Sequence, residues 1–329
     1  TMGCPAGIGP ELLLKYFRDP EAKGDTTPVV LGDSAVLEYY ARTLGYTGFQ
    51  IVPWNIGDTL PDPGDSTIPV HGLSQLSEND VSFGIPNLTT GKAMANYILA
   101  GVKLVQEGHL DGITTCPTSK HSLNEAGYHY PGHTEMLADL TDSSGYAMMM
   151  AGDKLKVTLV TIHCPLADVP SMLSKESVAQ MIETTHRALT IDLGLDDPHI
   201  AVAALNPHGG EKRMFGSEEE TTIAPAIEEM KRQGIRVSGP YPPDTVFYKA
   251  AGGAYDAVVC MYHDQGLIPF KLLHFDDGVN ITLGLPIVRT SVDHGTAYDI
   301  AGKGIADPSS LIRAVELAGR ISTNRELYR

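Results

Sequence analysis

Apolar and polar positions alternate in blocks through the middle of the chain. Two short apolar runs, Val157–Ile162 and Ile200–Leu205, flank a stretch, Val178–Leu189, in which apolar residues recur every three or four positions. That spacing places the apolar side chains on one face of a helix, whereas short continuous apolar runs are typical of buried strands. The order strand, helix, strand predicts a β-α-β unit.

The same order continues toward the carboxyl end. A helical pattern at Glu219–Gln233 precedes a further apolar run, Asp256–Met261, so we expect an α/β fold with a mostly parallel sheet covered by helices. Three-and-four spacing and short apolar runs predict more elements elsewhere. These are helices at Glu11–Phe17, Thr90–Gln106, Glu135–Leu140 and Leu311–Gly319, and strands at Val29–Leu31 and Asp111–Thr115.

Length and composition narrow the class of protein. A chain of 329 residues suits two domains or one elaborated α/β unit, and its 42% apolar and 19% charged residues exclude a disordered or coiled-coil protein. A net charge of −16 would repel nucleic-acid phosphates and anionic membranes, so we expect neither as a partner. No apolar run approaches the ~20 residues of a membrane helix, and the first residues carry no signal-peptide pattern. We therefore expect a cytoplasmic protein.

The cysteines are scattered along the chain. They are Cys4, Cys116, Cys164 and Cys260. Because no two of them form a C-x-x-C pair, the pattern argues against a disulfide framework and against a cysteine zinc site. We expect reduced thiols.

Three of the apolar runs are each followed closely by a histidine, namely His163, His208 and His263. The carboxyl ends of parallel strands meet at one edge of a sheet, where open α/β sheets bind ligands, so three imidazoles there could hold one metal ion with an open position. The alternative is that each histidine only caps a strand or bonds a loop carbonyl. Nearby, Asp264 and Asp244 are candidates to orient a metal ligand or move a proton, or they are helix caps.

A second polar cluster lies in the turn Pro131–Glu135, where His133 and Thr134 could contact a carboxylate or a phosphate. Thr134 could equally be the N-cap of the helix that follows. Farther along the chain, a stretch rich in Asp contains three more candidates. Their side chains could bind an anion or a polar atom of the substrate, or they could lie on the surface. They are Lys271, Asn280 and Arg289.

Two segments resemble phosphate-binding motifs without completing them. Gly84–Lys92 has no glycine five residues before Gly91 and no Ser or Thr after Lys92, both of which a P-loop requires. Gly7–Glu11 lacks the third glycine of a dinucleotide fingerprint. The second segment predicts instead a turn entering a helix with Pro10 at its first position, where Glu11 would repel a pyrophosphate. The run His294–Gly304 is turn-like at both ends and could offer backbone amides to an adenine or a phosphate.

Seven separate motifs, in order and spread over nearly the whole chain, resemble those of the 4-hydroxythreonine-4-phosphate dehydrogenase (PdxA) family. They are PAGIGPEL (5–12), YPGHTE (130–135), VTIHCPL (160–166), NPHGGE (206–211), GPYPPDTVF (239–247), YHDQGLIPFK (262–271) and HGTAYDIAGKG (294–304). The last motif is also similar to the cofactor loop of the isocitrate and isopropylmalate dehydrogenases, the wider superfamily.

The resemblance implies oxidation of 4-phosphooxy-L-threonine to 2-amino-3-oxo-4-phosphooxybutanoate, which decarboxylates to 3-amino-2-oxopropyl phosphate in pyridoxal phosphate biosynthesis. It implies NAD or NADP and a divalent metal, zinc in first place and magnesium or cobalt otherwise, in a homodimer with a shared active site. The residues carried over are metal ligands at His163, His208 and His263, substrate contacts at His133, Thr134, Lys271, Asn280 and Arg289, and cofactor contacts at His294, Gly295, Thr296 and Asp299.

The resemblance also implies the two-domain α/β/α fold of that superfamily. We expect residues 1–128 and 281–329 to form a larger domain, and residues 129–280 to form a second domain that carries the metal histidines and the dimer contacts. The candidate proton-transfer groups remain Asp244 and Asp264, which come from the residue pattern and not from the resemblance.

The sequence departs from the family at Cys4, where an acidic residue is common, and at Cys116–Lys120. This leaves open a related branch that oxidises D-threonate or D-erythronate 4-phosphate in acid-sugar catabolism. A different class, a metal-dependent hydrolase or binding protein without redox chemistry, is disfavoured because it would have no use for an adenosine-binding loop.

Overall fold

The structure, a computed structural model, describes residues 1–20, 22, 24–60, 67–130 and 132–328. The strands in chain order are β1 (Val30–Gly32), β2 (Gln50–Pro53), β3 (Thr67–Gly72), β4 (Gly112–Thr115), β5 (Ala147–Ala151), β6 (Lys156–Leu159), β7 (Ile200–Ala203), β8 (Val237–Tyr241), β9 (Ala257–Cys260), β10 (Val279–Leu283) and β11 (Val288–Val292). The helices are α1 (Gly9–Arg18), α2 (Ser34–Thr43), α3 (Leu88–Gln106), α4 (Lys120–Glu125), α5 (His133–Leu140), α6 (Val169–Met172), α7 (Lys175–Arg187), α8 (Ala224–Arg232), α9 (Pro243–Ala251), α10 (His263–Leu273) and α11 (Ser309–Leu327).

Contacts along the chain divide it into two compact units. Unit 1 comprises Thr1–Ser143 and Pro286–Ser322, and unit 2 comprises Ser144–Leu285 and Thr323–Arg329. The domain boundaries inferred from the sequence, at 128/129 and 280/281, stay a prediction about independently folding domains.

Unit 1 contains two groups of parallel strands. In the first group the strand order is β1-β3-β2, with Val30 opposite Val70 and Ile51 opposite Ile68. In the second, β4 pairs with β11, which places Arg289 opposite Ile113. Helix α1 packs the apolar side chains of its buried face into the core of this unit.

Unit 2 is built on six strands in the order β10-β5-β6-β9-β7-β8. The pairs β10-β5 and β5-β6 are antiparallel, whereas β6-β9, β9-β7 and β7-β8 are parallel. Strands β6, β7 and β9 are almost entirely buried, as expected for parallel strands covered on both faces. The expectation of an α/β fold with a mostly parallel sheet is confirmed.

Most of the elements predicted from the sequence are present, with small shifts at their ends. The three central apolar runs form β6, β7 and β9, but β9 lies between β6 and β7, so the predicted β-α-β unit does not join neighbouring strands. The predicted helices at 178–189 and 219–233 form α7 and α8, each extended by one π-helical turn. Helix α1 begins at Gly9, one residue before Pro10. Among the described residues, the sequence analysis missed the strands β2, β3, β5, β8, β10 and β11 and the helices α2, α4, α6, α9 and α10.

Candidate active site

The three predicted metal histidines lie at one edge of the sheet of unit 2. Strands β6, β9 and β7 are adjacent and parallel, with Leu159 opposite Cys260 and Val202 opposite Val259. Each strand is followed within a few residues by its histidine: His163 after β6, His263 after β9 and His208 after β7. We call these three strand ends and their histidines the histidine edge. The expectation that three parallel strands end there is confirmed.

Two of the three imidazoles are close together. The ring centroids of His163 and His263 are 6.1 Å apart, whereas His208 has its ring 6.1 Å from that of Phe215 and a backbone φ of 53°. Two imidazoles on one tetrahedral zinc ion have ring centroids ~5 Å apart, so the His163–His263 pair is only about 1 Å too wide. Within the described ranges, no group of three or more His, Cys, Asp or Glu side chains is placed to hold a metal ion.

The protonation of His263 suits a metal ligand. Its Nδ1 lies 2.7 Å from Oδ1 of Asp264, and because an ionised carboxylate can only accept, Nδ1 carries the proton. The Nε2 lone pair is then available to an ion, in the arrangement in which a carboxylate orients a metal-binding imidazole. The chemistry of the donor set therefore fits a divalent ion, and the structure brings two of the three imidazoles near each other.

Buried polar side chains that the sequence analysis missed hold the histidine edge in place. Gln265 accepts a hydrogen bond from the Met261 amide and donates one to the Ala204 carbonyl, both at 2.7 Å, so it ties the end of β9 to the end of β7. The carboxylate of Glu219 accepts from the amide of Asn206 at 2.7 Å, which holds the loop that carries His208. Glu219 stands in a run of three glutamates, a pattern typical of an exposed face, so its buried role could not be predicted from the sequence.

A second cluster forms around a buried arginine in unit 1, and we call it the Arg289 cluster. Arg289 lies in the middle of β11 and is 3% exposed. Its Nη2 donates to Oγ1 of Thr115, at the end of β4, at 2.8 Å and to Nδ1 of His133, the first residue of α5, at 3.1 Å. The alternative of a surface position for Arg289 is therefore wrong.

The environment of this cluster fixes its protonation. Burial lowers the pKa of Arg289 to about 9, and burial together with the neighbouring guanidinium holds the pKa of His133 well below its usual value. Since a guanidinium only donates, Nδ1 of neutral His133 accepts and its proton lies on Nε2. Nε2 of His133 is buried and has no hydrogen-bond partner among the described residues. A buried N–H donor beside a buried cation suits an anionic group such as a phosphate or a carboxylate.

The lowered pKa of His133 predicts a pH dependence of stability. The unfolded chain protonates this imidazole near pH 6.5 and the folded protein does not, so the free energy of unfolding falls as the pH drops below about 6.5, by up to ~1.4 kcal/mol per pH unit. In His133→Asn, whose amide oxygen can replace Nδ1 as acceptor, this contribution is absent. Urea unfolding at pH 7 and pH 5 should show a smaller loss of stability in the variant than in the wild type. His121→Asn, at an exposed histidine, is the control; equal losses in all three proteins would contradict the assignment.

The other predicted substrate contacts divide between the units. Thr134 is buried in unit 1, and it is the second residue of α5 and not its N-cap, which is Gly132. The first residue of that turn, Pro131, lies outside the described residues. In unit 2, Lys271 lies on α10 with Nζ 5.8 Å from the ring of Phe275, and Asn280 lies on β10 with a buried Oδ1 that has no hydrogen-bond partner among the described residues.

The predicted cofactor segment, 294–304, is a loop of unit 1 with one 3-10 turn at Tyr298–Ile300. Nδ1 of His294 lies 3.2 Å from the carbonyl of Gly295, and Asp299 is exposed. Thr296 contributes its carbonyl to a hydrogen bond with the amide of Ile8. Asp244, the other candidate for proton transfer, is an exposed residue in the first turn of α9.

In the part of the chain that the structure describes, no helix has the length and apolar character needed to span a bilayer.

Comparison with known proteins gives a consistent family. Residues 24–318 match the family model described as pyridoxal phosphate biosynthetic protein PdxA. A 4-hydroxythreonine-4-phosphate dehydrogenase of Desulforapulum autotrophicum is 50% identical over 327 residues, covering 98% of this chain and 94% of the relative. A protein of Oceanobacillus iheyensis, provisionally named D-threonate 4-phosphate dehydrogenase, is 42% identical over 97% of this chain and 95% of its own.

Solved structures agree. The crystal structure of the 4-hydroxythreonine-4-phosphate dehydrogenase of Klebsiella pneumoniae superimposes with a TM-score of 0.87 at 40% identity and covers 98% of both chains. The corresponding structure from Burkholderia phymatum gives a TM-score of 0.83 at 38% identity, over 97% of this chain and 96% of that one. The resemblance noted in the sequence is thereby confirmed, and the chain belongs to the PdxA family of dehydrogenases of pyridoxal phosphate biosynthesis.

Proposed function

We propose that this protein oxidises 4-phosphooxy-L-threonine at its secondary hydroxyl with NAD or NADP. The observation that carries the proposal is the Arg289 cluster, in which a buried guanidinium lies beside a neutral imidazole whose Nε2–H has no partner among the described residues. Such a cluster recognises the phosphate or the carboxylate of a small anionic substrate. The substrate named for the most similar relatives carries both groups.

The histidine edge supports a divalent ion as the second component, with zinc in first place and magnesium or cobalt as alternatives. His163, His208 and His263 would hold it, and Asp264 orients His263. An ion held by these residues would supply Lewis-acid polarisation of the substrate oxygen. Asp244, an exposed carboxylate in the first turn of α9, is the proposed acceptor of the hydroxyl proton.

In the proposed reaction the hydroxyl proton passes to the base. The hydrogen on the carbon that bears this hydroxyl leaves with its electron pair to the nicotinamide ring, so the alcohol becomes a ketone and NAD(P) is reduced. The product, 2-amino-3-oxo-4-phosphooxybutanoate, then loses its carboxylate as carbon dioxide. The carbon that carried the carboxylate gains a proton, which gives 3-amino-2-oxopropyl phosphate. His294, Gly295, Thr296 and Asp299 are the proposed cofactor contacts.

We also propose a homodimer formed through unit 2, with the active site shared between subunits. Helix α10 exposes the large apolar side chains of Ile268 and Leu272, and Phe275, two residues beyond the helix, is exposed as well. Exposed apolar patches of this kind mark interaction surfaces. A mass of one chain in light scattering would contradict the dimer.

A second substrate is supported by the relatives named for D-threonate 4-phosphate and by the departures at Cys4 and Cys116–Lys120. NADH formation should therefore be measured with 4-phosphooxy-L-threonine and with D-threonate 4-phosphate, each with and without a chelator. We expect turnover of the amino-acid phosphate that the chelator abolishes. Turnover of the sugar-acid phosphate alone would place the enzyme in acid-sugar catabolism and keep the metal site. Turnover that the chelator leaves unchanged would contradict the metal, and no turnover of either compound would contradict the proposed substrate class.

A further inference from the structure

The proposed cofactor loop rests on the amino-terminal turn, the segment whose glycines do not complete a dinucleotide fingerprint. The amide of Ile8 donates to the carbonyl of Thr296 at 3.2 Å, and the phenol of Tyr298 donates to Sγ of Cys4 at 3.3 Å. A Cβ on Gly7 would lie 3.1 Å from the same Thr296 carbonyl. A larger residue at this position would have to push the Thr296 carbonyl back by a few tenths of an ångström, so the close approach of the two backbones favours glycine.

Two side chains of α1, the helix that follows this turn, form hydrogen bonds with backbone atoms at the carboxyl end of the loop. Glu11 is completely buried, and its Oε2 and Oε1 accept from the amides of Gly304 at 3.2 Å and Ala306 at 2.8 Å. Lys15 donates from Nζ to the carbonyls of the same two residues, at 2.9 Å and 2.5 Å. Glu11 and Lys15 are also 3.4 Å from each other, one helical turn apart. We call these two side chains the clamp.

The clamp satisfies backbone groups that no regular structure satisfies. Residues 301–308 belong to no helix or strand, and Gly302 and Gly304 have φ values of 74° and 73°, which glycine adopts without strain. Backbone amides and carbonyls buried in such a segment need side-chain partners. A fully buried carboxylate in turn requires an opposite charge and several donors, which Lys15 and the two amides supply. The buried carboxylate of Glu11 and the backbone groups of the loop therefore depend on each other for their hydrogen bonds.

We propose that Glu11 and Lys15 are positioning residues for dinucleotide binding, because they fix the carboxyl end of the loop 294–304 before the cofactor arrives. The inference rests on the proposed function, in which that loop contacts NAD or NADP. Ordering a flexible loop costs conformational entropy, and a loop that is held in place beforehand does not draw that cost from the binding free energy. Glu11, which the sequence suggested would repel a pyrophosphate, thus acts on the protein backbone and through it on the cofactor.

The test compares Glu11→Gln and Lys15→Met with two reference variants. Glu107→Gln alters another one-turn Lys–Glu pair, Lys103–Glu107, which is exposed on α3 at 3.7 Å, and it should behave as wild type. Asp299→Ala alters a proposed cofactor contact. Binding of NADH and NADPH is followed by their own fluorescence, and hydrogen–deuterium exchange is followed in the peptide that covers residues 302–307.

We expect both clamp variants to raise the dissociation constant of the reduced nucleotide about ten-fold, which corresponds to ~1.4 kcal/mol. Exchange in residues 302–307 should become faster, KM for the phosphorylated substrate should stay unchanged, and Lys15→Arg should restore most of the affinity. Lys15 is the safer site because it is partly exposed, so its variants remain informative if Glu11→Gln does not fold.

Two results would overturn the inference and can be told apart. If exchange becomes faster and Asp299→Ala weakens nucleotide binding but the clamp variants do not, the loop binds the cofactor and the clamp plays no part in it. If neither Asp299→Ala nor the clamp variants change nucleotide affinity, the proposed cofactor site itself is wrong, and the inference fails with it.

Discussion

Replacing Arg289 with methionine is expected to lower kcat/KM for the phosphorylated substrate by about a thousand-fold while leaving the unfolding temperature unchanged or raised. The loss follows because a buried, hydrogen-bonded charge that meets an opposite charge contributes ~2–5 kcal/mol to binding. Thr115 and His133, which contact the guanidinium, would remain but carry no positive charge.

The expected stability has the opposite sign for a physical reason. Burial lowers the pKa of Arg289 from its ordinary value to about 9, so the folded protein holds this proton less firmly than the unfolded chain. Above pH 9 the unfolded state binds more protons, so the wild type gains stability as the pH rises toward the ordinary pKa of arginine, and below pH 9 the full cost of burying the charge is present. Methionine fills a similar volume without that cost. The cost is offset when an anion binds.

The measurements are steady-state kinetics and thermal unfolding with and without inorganic phosphate. Phosphate should raise the unfolding temperature of the wild type and not that of Arg289→Met. Arg289→Lys keeps a charge but loses the planar fork, so it should recover only part of the activity. Arg313→Met, at an exposed arginine paired with Glu316, is the control and should match the wild type. Equal stabilisation of the wild type and Arg289→Met by phosphate would show that the cluster does not bind anions.

The positions of the histidines relative to the sheet could be predicted because they depend only on local pattern and chain direction. Apolar runs that alternate with helical patterns indicate parallel strands, and parallel strands share a carboxyl edge, so the sequence alone could place His163, His208 and His263 at one edge of the sheet. The strand order could not be predicted, because insertion of β9 between β6 and β7 depends on packing that short apolar runs do not encode.

Two of the missed elements, β8 and α9, have an equally plain cause. Strand β8 contains Gly239 and Pro240, a pair that predicts a turn, and α9 begins with Pro243 directly after it. Proline is tolerated in β8 because this strand follows β7 at the end of the strand order of unit 2, where one row of its backbone groups is not needed for pairing. Composition alone cannot tell an edge strand of this kind from a loop.

At positions where the sequence left two interpretations open, the burial of the side chain distinguishes between them. An arginine in a stretch of aspartates could be a surface residue or an anion contact. In the structure Arg289 lies on β11, which pairs with β4, and its side chain is buried. Glu11 and Gln265 are similar cases, because their roles come from backbone groups far along the chain. Polar residues whose backbone partners lie far along the chain leave no local pattern in a sequence.

Changing any one of His163, His208 and His263 to alanine is expected to remove the divalent ion and to lower kcat by about a thousand-fold or more, because polarisation of the substrate oxygen by a metal contributes several kcal/mol. NADH binding should persist, since the proposed cofactor contacts lie elsewhere in the chain. Asp264→Asn should have a smaller effect, about 10–100-fold on metal affinity, because it weakens the orientation of His263 and leaves the ligand in place.

The metal content of each variant is measured after equilibrium dialysis against zinc. His199→Ala is the matched control, because His199 directly precedes β7 and so lies at the opposite end of the strand that leads to His208; it should keep the ion. His208 is the decisive position, since the structure brings His163 and His263 within 6.1 Å and leaves His208 outside any metal-binding group of the described residues. Loss of zinc in His208→Ala would mean that the loop held by Glu219 moves His208 to the ion when it binds. Full zinc affinity in that variant would reduce the site to two histidines and contradict the three-ligand assignment.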